Sequence, residues 1–282
     1  MPFVSVLEGM KKAQAGGYAV PCFNVFEALA ADGIIAAAQE KRSPVITAVY
    51  DPFVDKPNAA ALVAFVRTQA ERAGVPVSMI VDHGGSFDVC MRALRLGFTD
   101  VMFDGSRLPL DENVAATKAV VRAAHAVGAA CEGDVGHVGL ASEYATFGAL
   151  GKGFTDPAEL ERFVAETGAD SIAIAIGTAH GEYNAPPKLD LDRLAEIRRH
   201  VPVPLVLHGG SGLPEELFRA AVAGGIAKIN VFTDLGINCA RRVAAVAAKE
   251  KPSYFDIIGE MRESFRERCG YFMDVFGASG KA

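Results

Sequence analysis

Short apolar runs and longer amphipathic stretches alternate along almost the whole chain. Eight runs, at 18–22, 45–48, 77–81, 100–103, 129–132, 171–176, 204–207 and 227–231, are nearly free of charge and mostly rich in β-branched residues. That is the pattern of parallel strands covered on both faces. Helical periodicity fills the intervals at 27–40, 59–73, 87–96, 110–127, 157–167, 191–200, 215–223 and 233–248. Eight such units in 282 residues give about 35 residues per unit, the repeat length of a closed α/β barrel. The fold expected is therefore a (β/α)8 TIM barrel, although an open doubly wound sheet shares the same periodicity. No linker or shift in composition divides the chain, so residues 1–282 read as one domain. A segment at 254–276 adds a C-terminal helix. One stretch breaks the rhythm: 135–155 has no apolar period and carries Gly136, Gly139, Gly148, Gly151 and Gly153. A long glycine-rich connection in a compact domain reads as an active-site lid.

Composition narrows the class. Half of the residues are hydrophobic and the mean hydropathy is +0.22, yet no apolar run approaches the roughly 18 residues of a membrane span. A net charge of −6 without any Lys/Arg cluster argues against a nucleic-acid surface. The first ten residues have neither the basic segment nor the apolar core of a secretory signal, so a cytoplasmic protein is expected. Five scattered cysteines, none in a CxxC spacing, read as reduced, buried thiols.

In a barrel the chemistry lies at the C-terminal ends of the strands. Asn24, Asp82, His83, Asp104, Glu132, His180, His208 and Asn230 all fall at or just after predicted strand ends. Any one histidine there has an ordinary reading as a hydrogen-bonded core residue. Three of them converging on one mouth instead suit a metal with an open coordination position, and Asp104 and Glu132 would orient the rings or serve as alternative ligands. His125, His137 and His200 lie in a helix, in the loop and at a helix end, and need no such role. Anion binding is signalled separately. His208-Gly-Gly-Ser-Gly-Leu-Pro214 and Asn230-Val-Phe-Thr-Asp234 follow strands seven and eight, the recurrent phosphate position of this fold, and each runs into a helix. Two ordinary turns would look similar.

Taken together, Val81-Asp-His-Gly84, Gly177-Thr-Ala-His-Gly181, Leu205-Val-Leu-His-Gly-Gly-Ser-Gly212 and Lys228-Ile-Asn-Val231 resemble the class II, zinc-dependent ketose-bisphosphate aldolases of the fructose and tagatose type. The resemblance runs from Gly17 through strand eight. It implies Zn²⁺, or another divalent cation, on His83, His180 and His208, with Asp82 as the acid/base. It implies a phosphorylated ketose cleaved through a zinc-stabilised enediolate to dihydroxyacetone phosphate and an aldehyde. The dihydroxyacetone phosphate would be held by Asn24, Gly181, Gly209, Gly210, Ser211, Asn230, Val231, Phe232 and Thr233. It also implies a homodimer or homotetramer with neither nucleic-acid nor membrane partners.

Three departures from the family pattern stand out. The loop reads Val138-Gly-Leu-Ala-Ser-Glu-Tyr144 in place of a Gly-Gly-Gln-Glu-Asp-like run, which leaves Glu143 as the loop proton-transfer residue. Strand two ends in Val49-Tyr50-Asp51 where a small hydroxyl residue is usual. An Asp-Pro-Arg run before the last helix is replaced by Lys251-Pro-Ser253. The last two touch the aldehyde half of the site. A ketose phosphate lacking the second phosphate is therefore an alternative substrate, and a non-catalytic partner subunit of another aldolase is an alternative role. Strand six carries no lysine for a Schiff base, and Lys228 reads as an interior residue paired with a carboxylate.

Overall fold

In the computed structural model, which describes residues 3–146, 151 and 153–282, eight parallel strands close on themselves in chain order. They are β1 (Val20–Asn24), β2 (Val45–Tyr50), β3 (Val77–Gly84), β4 (Asp100–Phe103), β5 (Cys131–Val135), β6 (Ser171–Ile174), β7 (Leu205–Leu207) and β8 (Ile226–Val231), and β8 pairs back onto β1. The open-sheet alternative is excluded. Around the barrel lie α2 (Ala28–Lys41), α3 (Ala59–Ala73), α4 (Phe87–Leu96), α5 (Leu110–Ala126), α6 (Pro157–Thr167), α7 (Leu191–His200), α8 (Glu215–Ala223) and α9 (Thr233–Ala247). Side chains of Ser86, Asp156 and Asp190 cap α4, α6 and α7 by accepting from the free amides of the first turn.

Several strand ends differ from the expected ones. β3 runs on to Gly84, so Asp82 and His83 lie on the strand and not after it. β5 covers Cys131–Val135, so Glu132 sits near its beginning and Asp134 near its end. β1 starts at Val20 and ends on Asn24. For β3 and β5 the reason is shared: inward-facing positions near the mouth are polar, and a polar residue ends an apolar run in the sequence before the strand itself ends.

Alternation along the strands divides the core. Val20, Cys22, Ile46, Ala48, Ile80, Met102, Ala173 and Val206 fill the barrel, while Phe23, Val45, Val77, Val101, Ile172, Leu205 and Ile229 face the helices. The N-terminal end is closed by a helix absent from the expected pattern, α1 (Leu7–Gly16). Val6 together with Met10 and Ala13 of α1 enters the inner cluster, too sparse a stripe to read as an amphipathic helix. Buried Asp100, at the start of β4, accepts from the Val6 and Ala130 amides at 2.9 and 3.0 Å and from the Ser5 hydroxyl. That end of the barrel is thus built for stability. All five cysteines are free and buried, and burial pushes the Cys22 thiol up to about 12. No described helix is long and apolar enough to cross a membrane.

The C-terminal helix is present as α10 (Tyr254–Val275), and it docks along α2 and α9. Arg262 reaches Asp32 of α2, Arg266 reaches Glu40, and Arg242 of α9 pairs with Glu260 and Glu267. Closest approach comes at Gly33, where an added Cβ would lie 2.4 Å from the Arg262 carbonyl oxygen. Backbone cannot yield there as a flexible side chain could. Gly33→Ala is expected to destabilise the protein by about 1–3 kcal/mol through overpacking. The check is a lower denaturation midpoint than wild type.

Candidate active site at the barrel mouth

The residues named from the sequence gather at the C-terminal mouth, around a cavity of about 1200 Å³. Its centre is made by β3. Successive residues of a strand face opposite sides, yet Asp82 and His83 both line the cavity. The β3–β4 register shifts between Val81 and Gly84, and His83 takes φ +53°. A left-handed conformation costs a non-glycine residue about 1–3 kcal/mol, so the surroundings must hold it. The His83 amide donates to the Met102 sulfur at 3.4 Å, and its Nδ1 lies 2.7 Å from Asp104. Gly84 completes the bend, because a Cβ there would meet the Met102 carbonyl oxygen at 2.5 Å.

His180 follows β6 and His208 follows β7. Ring centroids of the three imidazoles are 4.9 Å apart for His83–His180, 4.6 Å for His83–His208 and 6.0 Å for His180–His208. One ring nitrogen of each lies within 4.8 Å of the others. His208 Nε2 is 3.0 Å from Glu132, whose other oxygen takes the Lys228 ammonium at 2.8 Å. Burial opposes the charge on Glu132, but Lys228 and His208 outweigh it and hold the carboxylate ionised. An ionised carboxylate only accepts, so Nε2 carries the hydrogen and Nδ1 presents its lone pair. At His83 the orientation is reversed, with Nδ1–H on Asp104 and Nε2 facing the cavity. His83 Nε2 and His208 Nδ1 are both buried with no hydrogen-bond partner among the described residues.

Burial and the two neighbouring imidazoles lower His180 to about 3, which keeps that ring neutral. Burial opposes protonation of His83, but Asp82 and Asp104 prevail and raise it to about 9. The negative charge that favours a proton there favours a metal cation equally. Two buried ring nitrogens without a hydrogen-bond partner among the described residues, a neutral third imidazole and carboxylates behind the rings fit a divalent metal with an open position.

Asp82 is clamped. Asn24 Nδ2 donates to one carboxylate oxygen at 2.7 Å and Asn230 Nδ2 to the other at 3.0 Å. These amides are thus occupied by Asp82, while Asn230 Oδ1 is left without a partner. Burial opposes ionisation of Asp82, but His83, His208 and the Asn24 hydrogen bond lower it to about 2.

The glycine turns lie beside the imidazoles. Gly209 has φ +69°, and a Cβ on it would meet the Ala179 carbonyl oxygen at 2.6 Å. Tyr183 ties the two loops together: its hydroxyl accepts from the Ala179 amide and donates to the Gly209 carbonyl, both at 2.9 Å. Ser211 Oγ accepts from the amides of Phe232 and Asp234 at 3.3 and 3.1 Å. With both acceptor positions used, its hydrogen is left to donate to an anion. Gly181, Gly210, Val231 and Thr233 line the same cavity. Phe232 offers it a ring, because its amide is spent on Ser211.

The loop after β5 is partly anchored at this mouth. Leu140 bridges to His180, and Ala141 donates to the His180 carbonyl at 2.8 Å. Tyr144 is buried, its hydroxyl accepting from the Lys188 amide at 2.7 Å. Ala141–Thr146 forms a 3-10 turn that includes the Glu143 backbone; the Glu143 side chain lies outside the described residues, as do 147–150 and 152.

Three groups escaped the sequence reading. Asp134 of β5 is buried close to His83 and Asp104, and desolvation with the nearby Asp104 charge pushes its carboxyl well above the usual range. Only the true extent of β5 would have revealed it. Arg241 and Arg268 line a 210 Å³ cavity shared with Gly181, Ser211 and Thr233. Arg268 is held by Asp234 at 2.5 and 2.8 Å. Arg241 lies two helical turns beyond Thr233, a spacing that was available in the sequence.

A barrel whose ionisable groups gather at one mouth is an enzyme scaffold. Its particular class follows from comparison with known proteins. The family described as Fructose-bisphosphate aldolase class-II matches residues 4–281. A fructose-bisphosphate aldolase of Thermus caldophilus is 39% identical over 305 residues, covering 99% of each chain. Among solved structures, the YdjI aldolase from Escherichia coli K12 superposes with a TM-score of 0.89 at 32% identity, covering 99% of each chain. A fructose-bisphosphate aldolase from Campylobacter jejuni shares the fold, with a TM-score of 0.82 at 21% identity over 100% of this chain and 97% of the other. The chain belongs to the class II fructose-bisphosphate aldolase family, and it is a lyase.

Members of that family generally depend on a metal. Asp104→Asn would loosen the hydrogen bond that sets the His83 ring and is expected to weaken zinc binding about 10–100-fold. Competition with a chromophoric chelator measures this, and an unchanged affinity would show that Asp104 does not orient the ligand.

Proposed function

We propose that this protein cleaves a ketose 1-phosphate or 1,6-bisphosphate, of the fructose or tagatose type, to dihydroxyacetone phosphate and an aldehyde. The observation that carries this reading is the pairing of unpartnered imidazole nitrogens on His83 and His208 with the clamped carboxylate of Asp82 in one cavity. His83, His180 and His208 would hold the metal. When bound, Zn²⁺ or another divalent cation supplies a Lewis acid for the negative charge that develops on the C2 oxygen.

The chain's own groups do the rest. The Gly209–Gly210–Ser211 turn and Gly181 would hold the C1 phosphate, so that binding energy far from the scissile bond orients the ketose. Asp82 takes the C4 hydroxyl proton while C4–O becomes the aldehyde carbonyl and the C3–C4 bond breaks. The electron pair of that bond passes to C3 and the C2 carbonyl, and C3 is then protonated. Glu143 stands as the group that delivers this proton. Asn24 and Asn230 keep Asp82 ionised and aimed; they position the base and leave phosphate contacts to the glycine turns. Asn230 Oδ1, without a partner, is free to accept from a substrate hydroxyl. Lys228, held by Glu132, is not available as a Schiff-base amine.

Cleavage of ketose phosphates, followed by release of dihydroxyacetone phosphate, tests the reading. Activity is expected to disappear with a strong chelator and return with zinc. Asp82→Asn should lower kcat about 10²–10⁴-fold with metal still bound. Turnover indifferent to both the chelator and His208→Ala would sink the mechanism.

A further inference from the structure

Ten large apolar side chains are left exposed among the described residues, and four of them, Tyr50, Phe53, Leu108 and Leu140, line the 1200 Å³ cavity at the barrel mouth. Two of the four join a wall. Phe26 after β1 packs on Phe53 after β2 with ring centroids 4.3 Å apart, and on Phe232 after β8 edge-on at 4.9 Å. Tyr50, at the end of β2, is in register with Asp82 and carries the wall toward the catalytic carboxylate. The phosphate cradle comes from the loops after β6, β7 and β8, and the imidazoles come from β3, β6 and β7. The part of a bound ketose beyond Asp82 therefore runs over the ends of β1 and β2, against this wall.

Among the described residues neither β1 nor β2 brings a cationic side chain to the cavity, and the Tyr50 hydroxyl is a single neutral donor. The ionised group on that side is Asp51, a carboxylate that accepts from the Gly85 amide at 2.7 Å and would repel an anion. Ser253, before α10, is spent capping that helix, and Lys251 does not line the cavity. Arg107 does line it, but after β4, on the other side of β3. A phosphate dianion pressed against phenyl rings loses its hydration without gaining donors. A C–H-rich tail in the same place gains burial. The cavity also exceeds the 300–1,000 Å³ or so that encloses a drug-sized ligand. It has room for a tail.

We propose that the aldehyde half of the site is specific for an uncharged aldehyde with an apolar, C–H-rich tail, packed on Phe26, Phe53 and Phe232. The substrate is then a ketose 1-phosphate without a second phosphate. This rests on the aldolase reading above and narrows it.

The test runs the reaction toward condensation with the zinc-loaded enzyme. Dihydroxyacetone phosphate is offered with glyceraldehyde 3-phosphate, glyceraldehyde or 2-hydroxyhexanal. Both uncharged aldehydes are expected to exceed glyceraldehyde 3-phosphate in kcat/KM by tenfold or more. Phe53→Ala is expected to lower the ratio of 2-hydroxyhexanal to glyceraldehyde about tenfold, the effect of one to two lost methylene contacts. Equal use of all three, or preference for the phosphorylated aldehyde, overturns the proposal; loss of that preference in Arg107→Ala would assign the end to a bound phosphate. Exchange of the hydroxymethyl hydrogen of dihydroxyacetone phosphate with solvent deuterium separates the two failures. Exchange with a preference for the phosphorylated aldehyde defeats the tail specificity alone. Neither exchange nor condensation defeats the aldolase reading, and this inference falls with it.

Discussion

The site depends on one departure from strand geometry. The Asp82 carboxylate and the His83 imidazole both line the cavity from β3, and neighbouring residues of a regular strand cannot both do so. The bulge at His83 resolves this by giving one residue a left-handed backbone. Its cost is met locally: Asp104 holds the ring, Met102 receives the amide, and Gly84 leaves space for the chain to pass. Bulges are enriched beside active sites because they re-aim side chains, and here two are aimed at once. Every other feature of the mouth is arranged around that pair.

A second constraint lies deeper in the barrel. Lys228 and Glu132 are both fully buried, and a buried ion pair is weak evidence for stability because desolvation offsets attraction. Its effect here is directional. Lys228 keeps Glu132 ionised, Glu132 fixes the hydrogen of His208 on Nε2, and Nδ1 is thereby turned to the cavity with a lone pair. Asp104 does the same for His83 with the opposite nitrogen. The two rings meet their partners from different strands, β4 and β5. The tautomers are therefore set by barrel closure, and no local segment would set them alone.

The alternation of eight runs and eight helical stretches was legible, because strands buried on both faces must be apolar and covering helices must be amphipathic. Convergence of His83, His180 and His208 was legible too, since position relative to a strand end is a one-dimensional property. What failed at β3 and β5 has one cause. Near the mouth, inward positions are polar, so Asp82, His83 and Asp134 looked like loop residues although they sit on strands. That Asn24 and Asn230 both bond Asp82 was beyond reach, because β8–β1 closure brings them together across the barrel seam. α1 escaped because three apolar positions in a polar segment look like noise until the barrel floor is there to receive them.

Positive potential at the mouth is unevenly placed, strongest around Ser211, with Arg107 after β4 as a further cation. Around Ser211 there are backbone amides, the N-terminus of α9, and Arg241 with Arg268, the latter largely neutralised by Asp234. Across the cavity, the ends of β1 and β2 present rings and a carboxylate. The two halves therefore differ in chemistry as well as in position, and they are built from different loops on one rigid frame. Loops at the mouth of a barrel can change without disturbing the strands. The glycine turns after β7 and β8 carry the Gly-Gly-Ser and Asn-Val-Phe-Thr motifs, and the end of β2 carries the departure at Tyr50.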